Sequence, residues 1–293
     1  MNIEDEFILY HNASTNNDSE SQLKLGMHYL KSGRVSDGID MIKRSSQQEY
    51  PPAIHQLANL YEEGSILPFN RSYAFELFKL AAHFQYLPSI YKYGEYLFYG
   101  EVGDENQNEG FKYIEFAANN GYPKAEFEIS KFYMNGDYVE ENIEIAIFWL
   151  NKAAEHNNDL AQYELGLMYL DEKIYDKAFE LLRRASNNKN PDAMHALAIM
   201  YSNGLGIDKD PKIAINWCFN ALEVDIETHG VLKTLFKIIG INGKGDIQEI
   251  QKFKNYLSMA SKNGSSEALE ILEHPALGFQ DSFRNLQKSF DLD

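Results

Sequence analysis

Side chains able to do chemistry are few and scattered in this 293-residue chain. Its single cysteine, Cys218, excludes an internal disulfide and a cysteine-based zinc cluster. Beside Trp217 it reads as a small core residue. There is no phosphate-binding G-x-x-x-x-G-K-S/T loop, no dinucleotide glycine fingerprint and no H-E-x-x-H. Gly204-Leu205-Gly206 reads as a hairpin turn. His55 and His195 occupy equivalent places in two distant segments, too far apart to share a metal, and are expected to be surface or groove-lining imidazoles. The carboxylate pairs Asp104-Glu105, Glu140-Glu141 and Asp171-Glu172 fall near loops and read as solvated faces, because nothing beside them would perturb a pKa. One hydrolytic alternative uses His229, Asp246 or His274, which show no nucleophile–base spacing. The expectation is therefore no catalytic, metal or cofactor residue, and no cofactor.

Composition narrows the partner. There are 44 Asp and Glu against 27 Lys and Arg, a formal charge of −17, so the electrostatic footprint for nucleic acid or an anionic membrane is missing. A partner with a basic surface fits better. The N-terminal MNIEDEFILYHNAST lacks a basic signal-peptide region, and no stretch approaches the roughly 18 apolar residues of a membrane span. A cytoplasmic location is expected. The Asn-x-Ser triplets at Asn12, Asn70 and Asn263 then carry no weight, since glycosylation needs a secretory route.

The elements that position these residues repeat. In one series an anchor recurs as Tyr29, Tyr61, Leu97, Tyr133, Tyr169 and Tyr201, at steps of 32, 36, 36, 36 and 32 residues. In a second, Ser45, Ala81, Ala117, Ala153, Ala185, Ala221 and Ala260 recur with a similar period. Small residues precede most anchors, as in Leu25-Gly26, Leu57-Ala58 and Leu165-Gly166, with Tyr93-Gly94 in the third copy; they let a neighbouring helix approach closely. Gly64, Gly100, Gly136 and Gly204 stop the first helix three residues after its anchor. Asn70, Asn106, Asn142 and Asp210 are placed to cap the second. Copies 1 and 5 have shorter connecting loops. The turn glycine that closes the second helix is present only as Gly121 and Gly264, with Gln85, Asn157 and Lys189 elsewhere, so those junctions are expected to be strained or differently closed.

Ala161, Leu165, Gly166 and Tyr169, with Asn142, Ala146, Trp149, Lys152, Ala153 and Ala154, follow the pattern A-x-x-x-L-G-x-x-Y and D-x-x-x-A-x-x-W-x-x-K-A-A. The chain thus resembles the Sel1-like repeats, relatives of the tetratricopeptide repeat, over roughly residues 21 to 272. The resemblance implies an all-α fold, an α/α superhelical solenoid of about seven helix-turn-helix units. Those units are placed near 21–52, 53–88, 89–124, 125–160, 161–192, 193–228 and 229–267. Residues 1–20 are expected to be an extension with a linker over 12–20, and 268–293 a capping helix and tail.

Counting from the first alanine of each unit, positions +2 and +9 lie opposite the apolar arc of an isolated helix. They should be polar, yet they hold Tyr91 and Phe98, Phe127 and Met134, then Tyr163 and Leu170, with His55 and His195 at +2 toward the ends. In the family the first helices line the concave face, so the resemblance implies a groove with aromatic anchors for a protein or peptide. Burial of the same positions between repeats is the competing reading. The expected function is a non-enzymatic interaction scaffold or adaptor. Since some family members are immunity proteins, the alternative is an inhibitor of a basic toxin or effector. Self-association through an end repeat is a further possibility.

Overall fold

A computed structural model describes residues 8, 11–13, 15–100, 102, 106–241 and 246–273. Among them there is no strand. Twelve helices form six hairpins: α1 Ser19–Lys31 with α2 Val35–Gln47, α3 Pro51–Glu63 with α4 Arg71–His83, α5 Leu87–Phe98 with α6 Gln107–Asn119, α7 Pro123–Asn135 with α8 Ile143–Glu155, α9 Asp159–Asp171 with α10 Tyr175–Asn187, and α11 Pro191–Asn203 with α12 Pro211–Val224. After α13, Val231–Leu235, the chain widens into a π-helical segment, Phe236–Ile241. α14, Ile247–Lys262, and α15, Ser266–Glu273, complete the described chain.

The two sequence registers turn out to be carbonyl acceptors. In all six hairpins the residue before the second helix donates its backbone N–H to the anchor's carbonyl: Arg34 to Tyr29, Asn70 to Tyr61, Asn106 to Leu97, Asn142 to Tyr133, Ile174 to Tyr169 and Asp210 to Tyr201, at 2.8–3.0 Å. The small-residue series does the same at the next junction, where Ala81, Ala117, Ala153, Ala185 and Ala260 accept from the residue five positions on. These bonds satisfy carbonyls that a helix end leaves open. The side chains of Asn70, Asn106, Asn142 and Asp210 cap their helices at 2.9–3.2 Å, as their spacing predicts.

The junctions without glycine are closed no differently. Glu49, Gln85, Asn157 and Lys189 adopt φ of 56°, 60°, 69° and 66°, the same left-handed conformation as Gly121 and Gly264. The expected strain is therefore real, and the expected alternative closure is absent. The start of the chain also differs from a plain linker: residues 11–13 are helical, and buried Gln22 donates through Nε2 to the Ala13 carbonyl at 3.0 Å. α1 begins at Ser19, capped by Asp18.

The chain divides into two compact units, 1–152 and 153–293, with the boundary inside α8. In the first unit the core is built on Ile54, Leu57, Phe78, Tyr96, Ile114, Ile129 and Phe132. Two of its helices approach closely at Gly94 and Gly110, where a Cβ on Gly110 would lie 2.7 Å from the Gly94 carbonyl oxygen. In the second unit one cluster surrounds Leu182, Leu197 and Met200. Another joins Ile215, Cys218, Phe219, Leu235, Phe253 and Leu257, and α15 adds Ala268 and Ile271 to it. The remainder of the expected terminal cap, 274–293, lies outside the described residues.

Candidate partner-binding site

The +2 and +9 stripe is distributed between packing and surface. In the first unit Tyr91, Phe98 and Phe127 are 7%, 6% and 8% exposed. The Tyr91 ring packs 5.4 Å from Tyr122, and its hydroxyl donates to Glu95 Oε1 at 2.8 Å. Phe98 packs against Phe132 and Tyr138, at 4.8 and 5.3 Å. Met134 is half-buried. Tyr91 and Phe98 are inter-repeat packing, and Phe127 is buried, so none of the three is an open anchor. The side that faces away from the hairpin partner on an isolated helix meets the next repeat in a stack, a neighbour that helical periodicity cannot register.

His55 also leaves the surface role expected of it. Its ring sits 5.3 Å from Phe78 and 5.4 Å from Tyr86, and Nδ1 is 2.7 Å from Ser89 Oγ in α5, the first helix of the next hairpin. Burial, reinforced by Lys92, lowers its pKa to about 4. In the second unit Tyr163 and Leu170 are half-buried against the Leu182–Leu197–Met200 cluster. His195 Nε2 lies 2.8 Å from Thr234 Oγ1, and burial lowers its pKa too.

The first-helix face of the first unit carries a ladder of charges at positions +3, +6 and +9, tied to two phenols at +7 and +10. Lys92 Nζ lies 3.1 Å from Glu62 Oε1 and 3.3 Å from Glu95 Oε2. Tyr96 donates to Glu62 at 2.8 Å, Tyr99 to Glu128 at 2.5 Å, and Lys131 Nζ lies 3.4 Å from Glu128. The side chains of Lys92, Glu62 and Glu95 are 26%, 22% and 21% exposed, and Lys131 is 46% exposed. Burial raises the Glu95 pKa. It also pushes Tyr122 up to about 12. Burial alone would lower Lys92, but Glu95 and Glu62 hold it above its ordinary value. The recurrence of polar residues at +3 and +6 is visible in the sequence, yet it reads there as an ordinary solvated face.

Among the described residues no group of His, Cys, Asp or Glu could hold a metal ion. Glu140, Glu141, Asp171 and Glu172 are exposed at loops, whereas Asp104, Glu105 and His274 lie outside the described residues. Asp246 is committed to a reciprocal capping box with Glu249. Cys218 is fully buried, which raises its thiol pKa. Gly204 and Gly206, at φ of 74° and 70°, form the expected turn, and a Cβ on Gly206 would collide with Tyr175. No described helix is long and apolar enough to cross a membrane.

The Sel1 repeat family matches at residues 51–83, 87–122, 123–158, 159–190 and 191–222, together more than half of the chain. A search of curated protein sequences found no match. Among solved structures, a Sel1 repeat protein from Oxalobacter formigenes is similar at 22% identity and a TM-score of 0.68, covering 82% of this chain and 99% of that one. The c5321 protective antigen of uropathogenic Escherichia coli, which displays an SLR fold, is 22% identical with a TM-score of 0.60; 92% of this chain matches 58% of its length. The immunity protein Pa5087 from Pseudomonas aeruginosa is 19% identical with a TM-score of 0.55, over 72% of this chain and 83% of that one. At these identities the likeness establishes the fold.

Proposed function

Because this chain belongs to the Sel1 repeat family, we propose that it is a non-enzymatic cytoplasmic scaffold that binds a protein or peptide with a basic surface on the first-helix face. The carrying observation is the ladder of Glu62, Glu95 and Glu128, three carboxylates shared by two ammonium groups within a chain of charge −17. A basic side chain of a partner competes there with Lys92 and Lys131, and the partly desolvated setting strengthens the exchange. The buried stripe of Tyr91, Phe98 and Phe127 supports that face from beneath. Tyr163, Leu170, Met134 and His195, being half-buried, present edges only.

Capture with the intact chain and with its E62Q/E95Q/E128Q variant tests the site. A bound protein lost by the variant, and released as salt rises from 50 to 300 mM, is expected. Equal retention by both overturns it. A second reading, favoured by the likeness to the Pa5087 immunity protein and by the acidity, is neutralisation of a basic toxin. Under it, the product of a neighbouring gene arrests growth alone and is relieved by co-expression of this chain. Arrest that co-expression leaves unchanged, or no arrest at all, argues for the adaptor.

A further inference from the structure

On the second-helix side of the first unit, a groove of about 620 Å³ runs between α4 and α6, floored by Ala82, Ile90 and Tyr113 and walled by Phe116. A second hollow, sharing Ala82, Gln85 and Tyr113, continues it to Glu76, Lys79 and Leu80. Two apolar side chains on its rims are open: Leu80 and Phe116 are 42% and 44% exposed. α4 and α6 together carry Arg71, Lys79 and Lys112 against Glu76, Glu109 and Glu115, a net charge of zero in a chain of −17.

Two facts indicate what covers this strip. The first is an absence of internal pairing. Glu76 and Lys79, and likewise Lys112 and Glu115, stand three residues apart on one helix, yet none of the four makes an ion pair among the described residues. Equally spaced pairs elsewhere, Arg34–Asp37, Lys92–Glu95, Lys131–Glu128 and Arg183–Glu180, do close. The second is the 36-residue register. It places Glu76 level with Lys112, Lys79 with Glu115, and Leu80 with Phe116 on two helices that run in the same direction. Each level therefore pairs opposite charges or two apolar residues, but across a groove rather than in contact.

We propose that this strip binds a second copy of the chain about a two-fold axis lying along the groove. Such an axis sets α4 of one copy on α6 of the other, running in the same direction, so that every register match becomes an intermolecular contact. Glu76 then meets Lys112 of the second copy, Lys79 meets its Glu115, and Leu80 meets its Phe116; each contact occurs twice, as an isologous interface requires. Two helices of about 20 Å side by side give a footprint below that of standard interfaces, which places the dimer in the weak, reversible class. The first-helix face proposed for the basic partner is not used.

Sedimentation equilibrium at 5 to 300 µM and 150 mM salt tests the inference. The wild-type average mass is expected to climb from monomer toward dimer, and F116D to stay monomeric with an unchanged thermal midpoint, Phe116 being exposed. E76K and K112E are each expected to weaken association by about tenfold or more, because each sets like charges opposite one another twice. The double variant E76K/K112E restores the opposite-charge pairs and with them the association. A wild type that remains monomeric throughout overturns the proposal. So does a dimer that F116D leaves intact, or one that the double reversal fails to restore.

Discussion

A histidine packed against Phe78 and Tyr86 loses the hydration that its protonated form needs, and Lys92 adds like-charge repulsion. His55 therefore stays neutral down to about pH 4, whereas in the unfolded chain it titrates near 6.5. Between those values the unfolded state binds the extra proton. Its contribution to stability is thus complete above about pH 6.5 and drains as pH falls toward 4, by up to about 2–3 kcal/mol. Denaturant melts of the wild type and His55→Gln at pH 7.5 and 5 check this: the gap between the two proteins should shrink at pH 5. A constant gap would show that the imidazole is not held neutral. The sequence marks His55 and His195 as equivalent, but their second partners, Ser89 and Thr234, are supplied by later helices. No spacing within one helix could announce them.

The backbone junctions were far more legible than the side-chain faces, for a reason internal to the helix. The anchors Tyr61, Leu97, Tyr133 and Tyr201 recur because their carbonyls close the hairpin loop, and Asn70, Asn106, Asn142 and Asp210 recur because they cap the second helix of each hairpin. Such rules act within a dozen residues and leave a fixed spacing. By contrast, Tyr91 and Phe98 look like groove residues until Tyr122, Phe132 and Tyr138 are laid beside them. The junctions also carry a stability prediction. Lys189 holds φ of 66°, where a side chain costs about 1–2 kcal/mol over glycine. Glycine gives back part of that through the freedom it adds to the unfolded chain. Lys189→Gly should therefore stabilise by about 0.5–1 kcal/mol, while Gly121→Ala, at φ of 81°, destabilises by a similar amount. Thermal midpoints moving in opposite directions for the two variants would bear this out, and a shared direction would count against it.

For the molecule as a whole, the repeat grammar specifies a stack of hairpins but not where cooperativity is divided. The sequence treats the span from 21 to 267 as one array, whereas the folded chain forms two compact units with separate cores. In a stack whose members touch only their neighbours, damage to one hairpin is felt locally. Gly110 is the place to inflict it. Its equivalents are Ala74, Ala146 and Ala214, so the substitution looks conservative, but a Cβ there would meet the Gly94 carbonyl oxygen at 2.7 Å and the Phe98 nitrogen at 2.5 Å. Both obstacles are backbone, which cannot rotate away. Gly110→Ala should cost about 1–3 kcal/mol through forced separation of α5 and α6. Hydrogen exchange resolved along the chain would locate that cost: amides of α3 to α7 should lose protection, while those of α11, α12 and α14 keep theirs. A uniform loss over both units would mean that the chain opens as one cooperative body, and the two cores would then share a single transition.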